Sequence, residues 1–305
     1  MSETEPPTAE TRCGFVALIG APNAGKSTLL NALVGTKVSI VTHKVQTTRA
    51  LVRGIALEGA SQVIFVDTPG IFRPRRRLDR AMVTSAWGGA KDADLVALLV
   101  DVKKGIDDEI AAIVDELAQS AHRKVLILNK IDLVKRDRLL ALAAELNEKV
   151  AFERTFMVAA LTGDGVGDVL DYFAAEVPRG PWLYPEDQVS DLPMRQLAAE
   201  ITREKLMLRV HDEIPYAAHV ETDVWKTLKD GSARVEQTIY VERESQKKIV
   251  LGKGGQTIKA ISQAARADIM EAAEQTVHLF LFVKVRGSWS DDPERYREMG
   301  LDFSE

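Results

Sequence analysis

The chain lacks several features that would assign it to a broad class. It has one cysteine, Cys13, in 305 residues, so no internal disulfide can form and the composition suits a reducing cytosol. Cys13 stands at the start of the first expected strand and is assigned a packing role. No apolar run approaches the ~20 residues of a membrane-spanning helix. The longest runs, such as residues 95–100, are strand-sized, so any membrane contact would be peripheral. The first residues, Met1-Ser2-Glu3-Thr4-Glu5-Pro6-Pro7, are acidic and proline-rich without the apolar centre of a signal peptide. A disordered tail is expected over residues 1–11. A broad basic surplus is also missing: the net charge is -5 and the isoelectric point about 5.7, which excludes the wide positive surface of a duplex nucleic-acid binder. Neither an internal repeat nor a low-complexity segment is present. The length exceeds one typical domain, and the 46% apolar content supplies ample core for two.

What is present begins at residue 20. Gly20-Ala21-Pro22-Asn23-Ala24-Gly25-Lys26-Ser27 fits G-x-x-x-x-G-K-[ST], and it follows the apolar run Phe15-Val16-Ala17-Leu18-Ile19. A buried strand, a glycine-rich turn and the helix-like stretch from Thr28 to Leu33 are the parts of a phosphate cradle. Glycines let successive backbone N–H groups curl around an anion, and the helix N-terminus adds its partial positive charge. Lys26 would reach the β and γ phosphates, and the Ser27 hydroxyl would ligate Mg²⁺. The site therefore reads as a nucleoside-phosphate pocket.

The base is selected about a hundred residues later. Val125-Leu126-Ile127-Leu128 reads as a buried strand and ends in Asn129-Lys130-Ile131-Asp132. A carboxylate there accepts two parallel hydrogen bonds from guanine N1–H and its exocyclic amine, a donor pair adenine lacks. A site built on a buried Asp132 carboxylate would reject adenine by leaving that group unpaired. The nucleotide is thus expected to be GTP or GDP. Between the two motifs, Val63-Ile64-Phe65-Val66 is closed by Asp67-Thr68-Pro69-Gly70: Asp67 is an expected Mg²⁺ partner, and the Gly70 backbone is expected to approach the γ-phosphate. The polar stretch Gln46-Thr47-Thr48-Arg49 suits a mobile switch, with the Thr48 hydroxyl completing the Mg²⁺ shell only when the γ-phosphate is present. Threonine pairs are also common at strand edges. The arginines Arg73, Arg75, Arg76 and Arg77 that follow form either a solvated loop or a contact to RNA or to the neighbouring domain.

Up to about residue 178, short apolar runs alternate with amphipathic stretches such as 108–118 and 166–175, the pattern of βαβ units and a largely parallel sheet. Pro178-Arg179-Gly180-Pro181-Trp182-Leu183-Tyr184-Pro185 cannot continue a helix and reads as a linker with aromatic anchors. The expected division is a GTPase domain at 12–178, a linker at 179–191, a second domain at 192–288 and a tail at 289–305. In the second domain, residues 219–225 and 234–241 alternate like half-buried strands. Then come Gln246 to Leu251, the turn Gly252-Lys253-Gly254-Gly255, Gln256 to Ile261, and a last strand at 277–285. Two short helices joined by G-x-x-G between strands is the KH arrangement, which admits a nucleic-acid backbone closely and lays about four nucleotides across the turn. Gly252 and Gly255 would give that close approach and Lys253 a phosphate contact, with Gly254 in the same RNA-binding turn. A glycine turn between helices is commonplace alone; the flanking Ile249, Ile258 and Ile261 and the strands on both sides favour RNA binding. With so little basic charge, a narrow groove for a single strand is expected. Arg203, Lys205, Lys284 and Arg286 either line it or are merely solvated.

The ordered set of P-loop, Gln46-Thr47-Thr48-Arg49, Asp67-Thr68-Pro69-Gly70 and Asn129-Lys130-Ile131-Asp132 resembles the translation-factor-related GTPases and, within them, the Era family. With the KH arrangement, the resemblance covers nearly all of the chain beyond the first ten residues. It implies an α/β P-loop GTPase domain with a mostly parallel sheet, followed by a smaller α+β KH-like domain of type II. It implies that Gly20, Asn23, Gly25, Lys26, Ser27, Thr28, Asp67, Gly70, Asn129, Lys130, Asp132 and Ala160 bind the nucleotide. Lys26, Thr48, Asp67 and Gly70 would serve catalysis, and Asn23 would help hold a K⁺. Ile71 stands where Ras-type proteins place the glutamine that orients water, which implies another water-positioning device and slow turnover. Val158-Ala159-Ala160-Leu161 stands where the family usually has Ser-Ala-Leu, so Ala159 departs from the serine, while the guanine O6 contact comes from a backbone N–H. The implied function is a monomeric, cytoplasmic, GTP-switched factor of small-ribosomal-subunit assembly. Its KH domain would bind the single-stranded 3′ end of small-subunit ribosomal RNA, with GTP setting whether that site is open. Two readings stay beside it: an RNA-binding protein with a merely structural nucleotide site, and a GTPase at the inner face of the cell membrane with a protein or lipid partner.

Overall fold

The structure, a computed structural model, describes residues 10–45, 47–211, 214, 218–287, 293–298 and 300–303. Most of the expected N-terminal tail, Gln46, residue 288 and part of the expected C-terminal tail lie outside these. The described residues form two compact units. The first takes those up to Val38 together with Ala50–Asp191; the second takes Ser39–Arg49 together with those from Leu192 on.

The first unit is a six-stranded sheet in the order β2-β3-β1-β4-β5-β6. Its strands are β1 (Arg12–Ile19), β2 (Val52–Glu58), β3 (Ser61–Asp67), β4 (Leu95–Asp101), β5 (Arg123–Asn129) and β6 (Arg154–Val158). Only the β2–β3 pair is antiparallel. Parallel strands must be covered on both faces, which is why their sequences are continuous apolar runs. Alternate residues of β1 divide between the two cores. Val16 and Leu18 pack with Leu29 and Leu30 of helix α1 (Lys26–Val34) and Phe173 of helix α5 (Val166–Glu176). Ala17 and Ile19 pack with Ala86 of α2 (Arg77–Lys91), Ile113 of α3 (Asp108–Gln119) and Leu142 of α4 (Arg136–Lys149). Helix α3 starts where the Asp107 carboxylate accepts the Ile110 N–H at 2.9 Å.

Residues 179–191, expected as a linker, fold onto this first unit. Ile55 N–H donates to Val189 O at 2.9 Å, Trp182 Nε1 to Ala60 O at 3.1 Å, and Gln62 Nε2 to Tyr184 O at 2.9 Å. Trp182 and Tyr184 cover a small cluster of Cys13, Ile55 and Ile64, giving the buried cysteine the expected packing role. The aromatic side chains are the anchors expected of this segment, and they fix it to the sheet rather than leaving it a free tether.

The second unit pairs a three-stranded sheet, β7 (His219–Thr227), β8 (Ala233–Val241) and β9 (Val277–Val285), with α6 (Met194–Arg209), α7 (Glu244–Leu251) and α8 (Gln256–Ala272). The β7–β8 pair is antiparallel and β8–β9 parallel, the latter connected through α7, the glycine turn and α8. A short helix α9 (Pro293–Glu298) follows. No helix among the described residues is long and apolar enough to cross a membrane.

Phe173 tests the first unit's packing: it is fully buried and meets Phe65 edge-on at 5.7 Å between ring centroids. Phe173→Ala is expected to destabilise this unit by about 3–5 kcal/mol. Urea unfolding followed by circular dichroism measures this, and an unchanged midpoint would contradict the packing.

Candidate functional site

The P-loop is the turn between β1 and α1. Three of its residues take positive φ: Gly20 (153°), Asn23 (64°) and Gly25 (100°). Two of the glycines are also required by contact. A Cβ on Gly20 would stand 2.5 Å from Leu99 O, and one on Gly25 would stand 2.2 Å from Asn129 Nδ2. Lys26 opens α1 and is buried, its ammonium donating to Gly20 O at 3.0 Å and Ala21 O at 3.1 Å. Burial pushes this ammonium down to about 8, against the pull of Asp67 and Glu109. The cation is therefore held at the loop without a strong anionic partner, the state in which an incoming phosphate gains most from it.

Ser27 and Asp67, forty residues apart, meet: the Ser27 hydroxyl donates to Asp67 Oδ2 at 2.6 Å. A hydroxyl and a carboxylate at this separation are hard oxygen donors suited to Mg²⁺, which takes few protein ligands and completes its shell with water and phosphate. Thr28 follows on the helix, half-buried. Gly70 lies against the P-loop, where a Cβ would come 2.9 Å from Pro22 Cα, and the next N–H, of Ile71, donates to Gly20 O at 3.0 Å. Ile71 itself is buried among apolar residues of the α2 side. It packs, and offers no group to orient water.

The Asn129–Asp132 motif clamps the P-loop. Asn129 Nδ2 donates to Ala24 O at 2.9 Å, and its Oδ1 accepts the N–H groups of Lys130 and Ala160 at 2.8 and 3.1 Å. Lys130 donates to Asn23 O at 2.8 Å and to Asp101 Oδ2 at 2.6 Å. Asp101 was not singled out from the sequence, although a carboxylate ending the buried run of β4 is a signal that marks it. Asp132 differs from the expectation: its carboxylate is exposed, on a short 3-10 turn over Ile131–Leu133. Its burial must come from the base it binds. The Ala160 N–H, expected to face guanine O6, is engaged by Asn129 Oδ1. The loop around Ala159 is ordered without serine: Ala159 O accepts N–H groups of Thr162 and Gly163 at 3.0 Å each, and Thr162 Oγ1 donates to the same oxygen at 3.2 Å. Leu161 beside it is 87% exposed.

Thr48 belongs to the segment Ser39–Arg49, which forms part of the second unit. Val41 N–H donates to Glu204 Oε1 at 2.8 Å, Arg49 Nη1 to Ala218 O at 3.0 Å, Lys44 Nζ to Val210 O and Arg203 Nη2 to Thr47 O. Arg203 is buried and also pairs with Glu200. Burial alone would raise the Glu200 carboxyl, but Arg203 and Arg49 outweigh it and hold it below its ordinary value. Burial, then Arg203, push Arg49 down to about 9. Arg203 and Lys205 thus neither line an RNA groove nor lie solvated: Arg203 holds the switch segment, and Lys205 pairs with Glu204 at 2.9 Å and with Asp268.

The glycine turn of the second unit stands apart from these pairs. Gly252, Gly254 and Gly255 have φ of 72°, 60° and 76°, a conformation costly for other residues. A Cβ on Gly252 would strike Thr257 Oγ1 at 2.2 Å, whereas one on Gly254 or Gly255 would meet nothing. The outer face is open to an external backbone, with Lys253 exposed beside it and Gly255 opening α8. Lys284 and Arg286 are exposed at the end of β9.

Residues 15–130 match the family model described as 50S ribosome-binding GTPase, and residues 213–290 match that of the KH domain. The chain is 68% identical to GTPase Era of Rhizobium meliloti (strain 1021) over 307 residues, covering 99% of this chain and 98% of that one. It belongs to the Era family of GTPases. Era of Brucella suis biovar 1 (strain 1330) is 66% identical, with 99% of this chain and 96% of that one covered. Two solved Era structures superpose with a TM-score of 0.90 at 34% identity, each covering 97% of this chain and 100% of the other. One is Era with MgGDPNP and nucleotides 1506–1542 of 16S ribosomal RNA; the other is a point variant of Aquifex aeolicus Era bound to GDP.AlF4-. As an Era GTPase the chain hydrolyses GTP, and its architecture is a P-loop GTPase followed by a KH domain.

The Lys26 environment sets a pH dependence. The ammonium loses its proton as pH rises through about 8, and a phosphate binds the protonated form. GDP affinity is therefore expected to be level below about pH 7.5 and about tenfold weaker at about pH 9. Calorimetric titration checks this, and Lys26→Arg, which does not titrate in this range, should abolish the decline.

Proposed function

We propose that the protein is a GTP-gated factor of small-ribosomal-subunit assembly. Its KH unit binds the single-stranded 3′ end of small-subunit ribosomal RNA. One observation carries this: the switch segment Ser39–Arg49, which includes Thr48, folds with the KH unit and hydrogen-bonds to α6. A segment that must respond to the γ-phosphate is built from the same hydrogen bonds as the RNA-binding unit. Any ordering of Thr48 by GTP is felt by α6. The Era relative bound to a 16S ribosomal RNA segment supports the choice of RNA.

Within the nucleotide pocket, Lys26 and the P-loop N–H groups face the β and γ phosphates and stabilise the charge that spreads over them during transfer. Ser27 and Asp67 would hold Mg²⁺, with Thr48 as a further ligand in the GTP state, and the ion would supply neutralisation of the phosphate charge. Asp132 selects guanine. Asn23 is the K⁺ ligand. Ile71 is packed away, so the attacking water is positioned by another device: the switch backbone, a K⁺ near Asn23, or the ribosome. In the KH unit, the turn Gly252–Gly255 admits the RNA backbone and Lys253 meets a phosphate. In this reading the protein acts as a monomer in the cytoplasm, where ribosomal subunits are made.

The test is affinity for a short single-stranded RNA from the 3′ end of small-subunit ribosomal RNA, with a GTP analogue and then with GDP. Binding is expected to be at least about tenfold tighter with the analogue, a coupling of about 1.4 kcal/mol. The Gly254→Asp, Gly255→Asp double variant should lose it in both states. Equal binding with both nucleotides would overturn the gating.

A further inference from the structure

We propose that the arginines after the Asp67–Gly70 motif form a second RNA contact, a phosphate-binding patch separate from the KH turn. The inference rests on the RNA-binding function proposed above and adds a surface on the GTPase unit. Arg73, Arg75, Arg76 and Arg80 are all exposed. Between Asp67 and Asp92 the sequence contains a single carboxylate, Asp79. That carboxylate is buried, and its Oδ2 accepts the backbone N–H groups of Arg75 and Arg76 at 3.0 Å each. Asp79 therefore fixes the backbone on which the arginines are mounted, at the entrance to α2.

The surroundings sharpen this. The whole chain is net negative, so a run of arginines with one buried acid is a local inversion of the protein's charge. Exposed guanidinium groups cost nothing to leave in water, and they contribute to affinity only when they meet anions. The cations are arginines, whose planar fork matches a phosphate in bidentate fashion. Among the described residues, no large hydrophobic side chain between Val45 and Leu133 is exposed. Phe72 within the run is half-buried, so the exposed chemistry of the run is guanidinium, without an exposed apolar anchor for a protein hot spot or a bilayer. A phosphate backbone is the partner that needs charge without apolar contact, and ribosomal RNA beyond the KH-bound strand supplies it.

The experiment compares salt dependence on two RNAs with a GTP analogue bound: the short 3′ single strand, and full-length small-subunit ribosomal RNA. Each phosphate contact adds about 0.9 to the slope of log affinity against log salt on a duplex. The wild-type slope on the full-length RNA should exceed that on the strand by about two to four. Changing Arg73, Arg75, Arg76 and Arg80 together to Gln should remove the excess and weaken full-length binding at least about tenfold, leaving strand affinity and thermal stability unchanged. The corresponding Arg→Lys variant should retain the excess, because charge is kept. Equal wild-type slopes, or an excess that survives in the Gln variant, would overturn the patch while leaving KH binding intact. Failure to bind either RNA would remove the patch together with the RNA reading. Loss of co-sedimentation with phosphatidylglycerol–phosphatidylcholine vesicles in the Gln variant, with RNA slopes unchanged, would assign the arginines to a lipid headgroup and overturn the proposal.

Discussion

Two carbonyls of the P-loop, Asn23 O and Ala24 O, are held from outside by Lys130 and Asn129. The nucleotide pocket depends on this clamp. A glycine-rich turn has many conformations open to it, and a turn that wanders cannot present its N–H groups to a phosphate at fixed positions. The clamp selects one conformation and joins the phosphate half of the pocket to the base half. Its geometry also accounts for Gly25, since a side chain there would collide with the clamping amide. Asp101 extends the arrangement by one layer, holding the Lys130 ammonium in place as it reaches Asn23. Removing any one of these groups loosens the others, because each is oriented by its neighbour.

A second clamp operates in the KH unit on a smaller scale. Arg203 is buried, which is costly for a guanidinium unless its donors are engaged. Glu200 and Thr47 O engage them. Glu204 accepts a backbone N–H of the switch segment and also pairs with Lys205. These charges are not a groove for nucleic acid; they are the attachment of the Thr48 segment. Around the glycine turn, Lys253 is exposed, with Lys248 and Lys259 exposed on the flanking helices, which adds phosphate contacts to close backbone approach at the turn.

Much of the fold was legible because its elements have local signatures. The continuous apolar runs of β1, β3, β4 and β5 announce a sheet covered on both faces, and the helical periodicity at 108–118 announces α3. The nucleotide motifs were legible for a related reason: each needs residue types, glycine in left-handed conformations above all, that few other contexts demand. The aromatic anchors of residues 178–185 were legible as residue types, but not the place they attach, a cluster of Cys13, Ile55 and Ile64 from distant strands. The roles of Arg203 and Lys205 were misjudged for a similar reason. A basic residue in a half-polar helix looks alike whether it faces solvent or a carboxylate from elsewhere in the chain.

By itself the sequence determined what is encoded locally: the P-loop, the guanine-selecting motif, the two halves of the architecture, and the G-x-x-G turn with its flanking helices. Their chemistry follows from residue type and short spacing, which the backbone preserves wherever the segments lie. Only the tertiary structure decided that Ser27 meets Asp67, that Asp101 backs Lys130, that Ile71 is packed away, and that the Thr48 segment folds with the KH unit. Each of these depends on groups brought together from distant positions in the chain. Such pairings are set by how strands and helices pack against one another, a global balance of burial and hydrogen bonding that no local pattern carries.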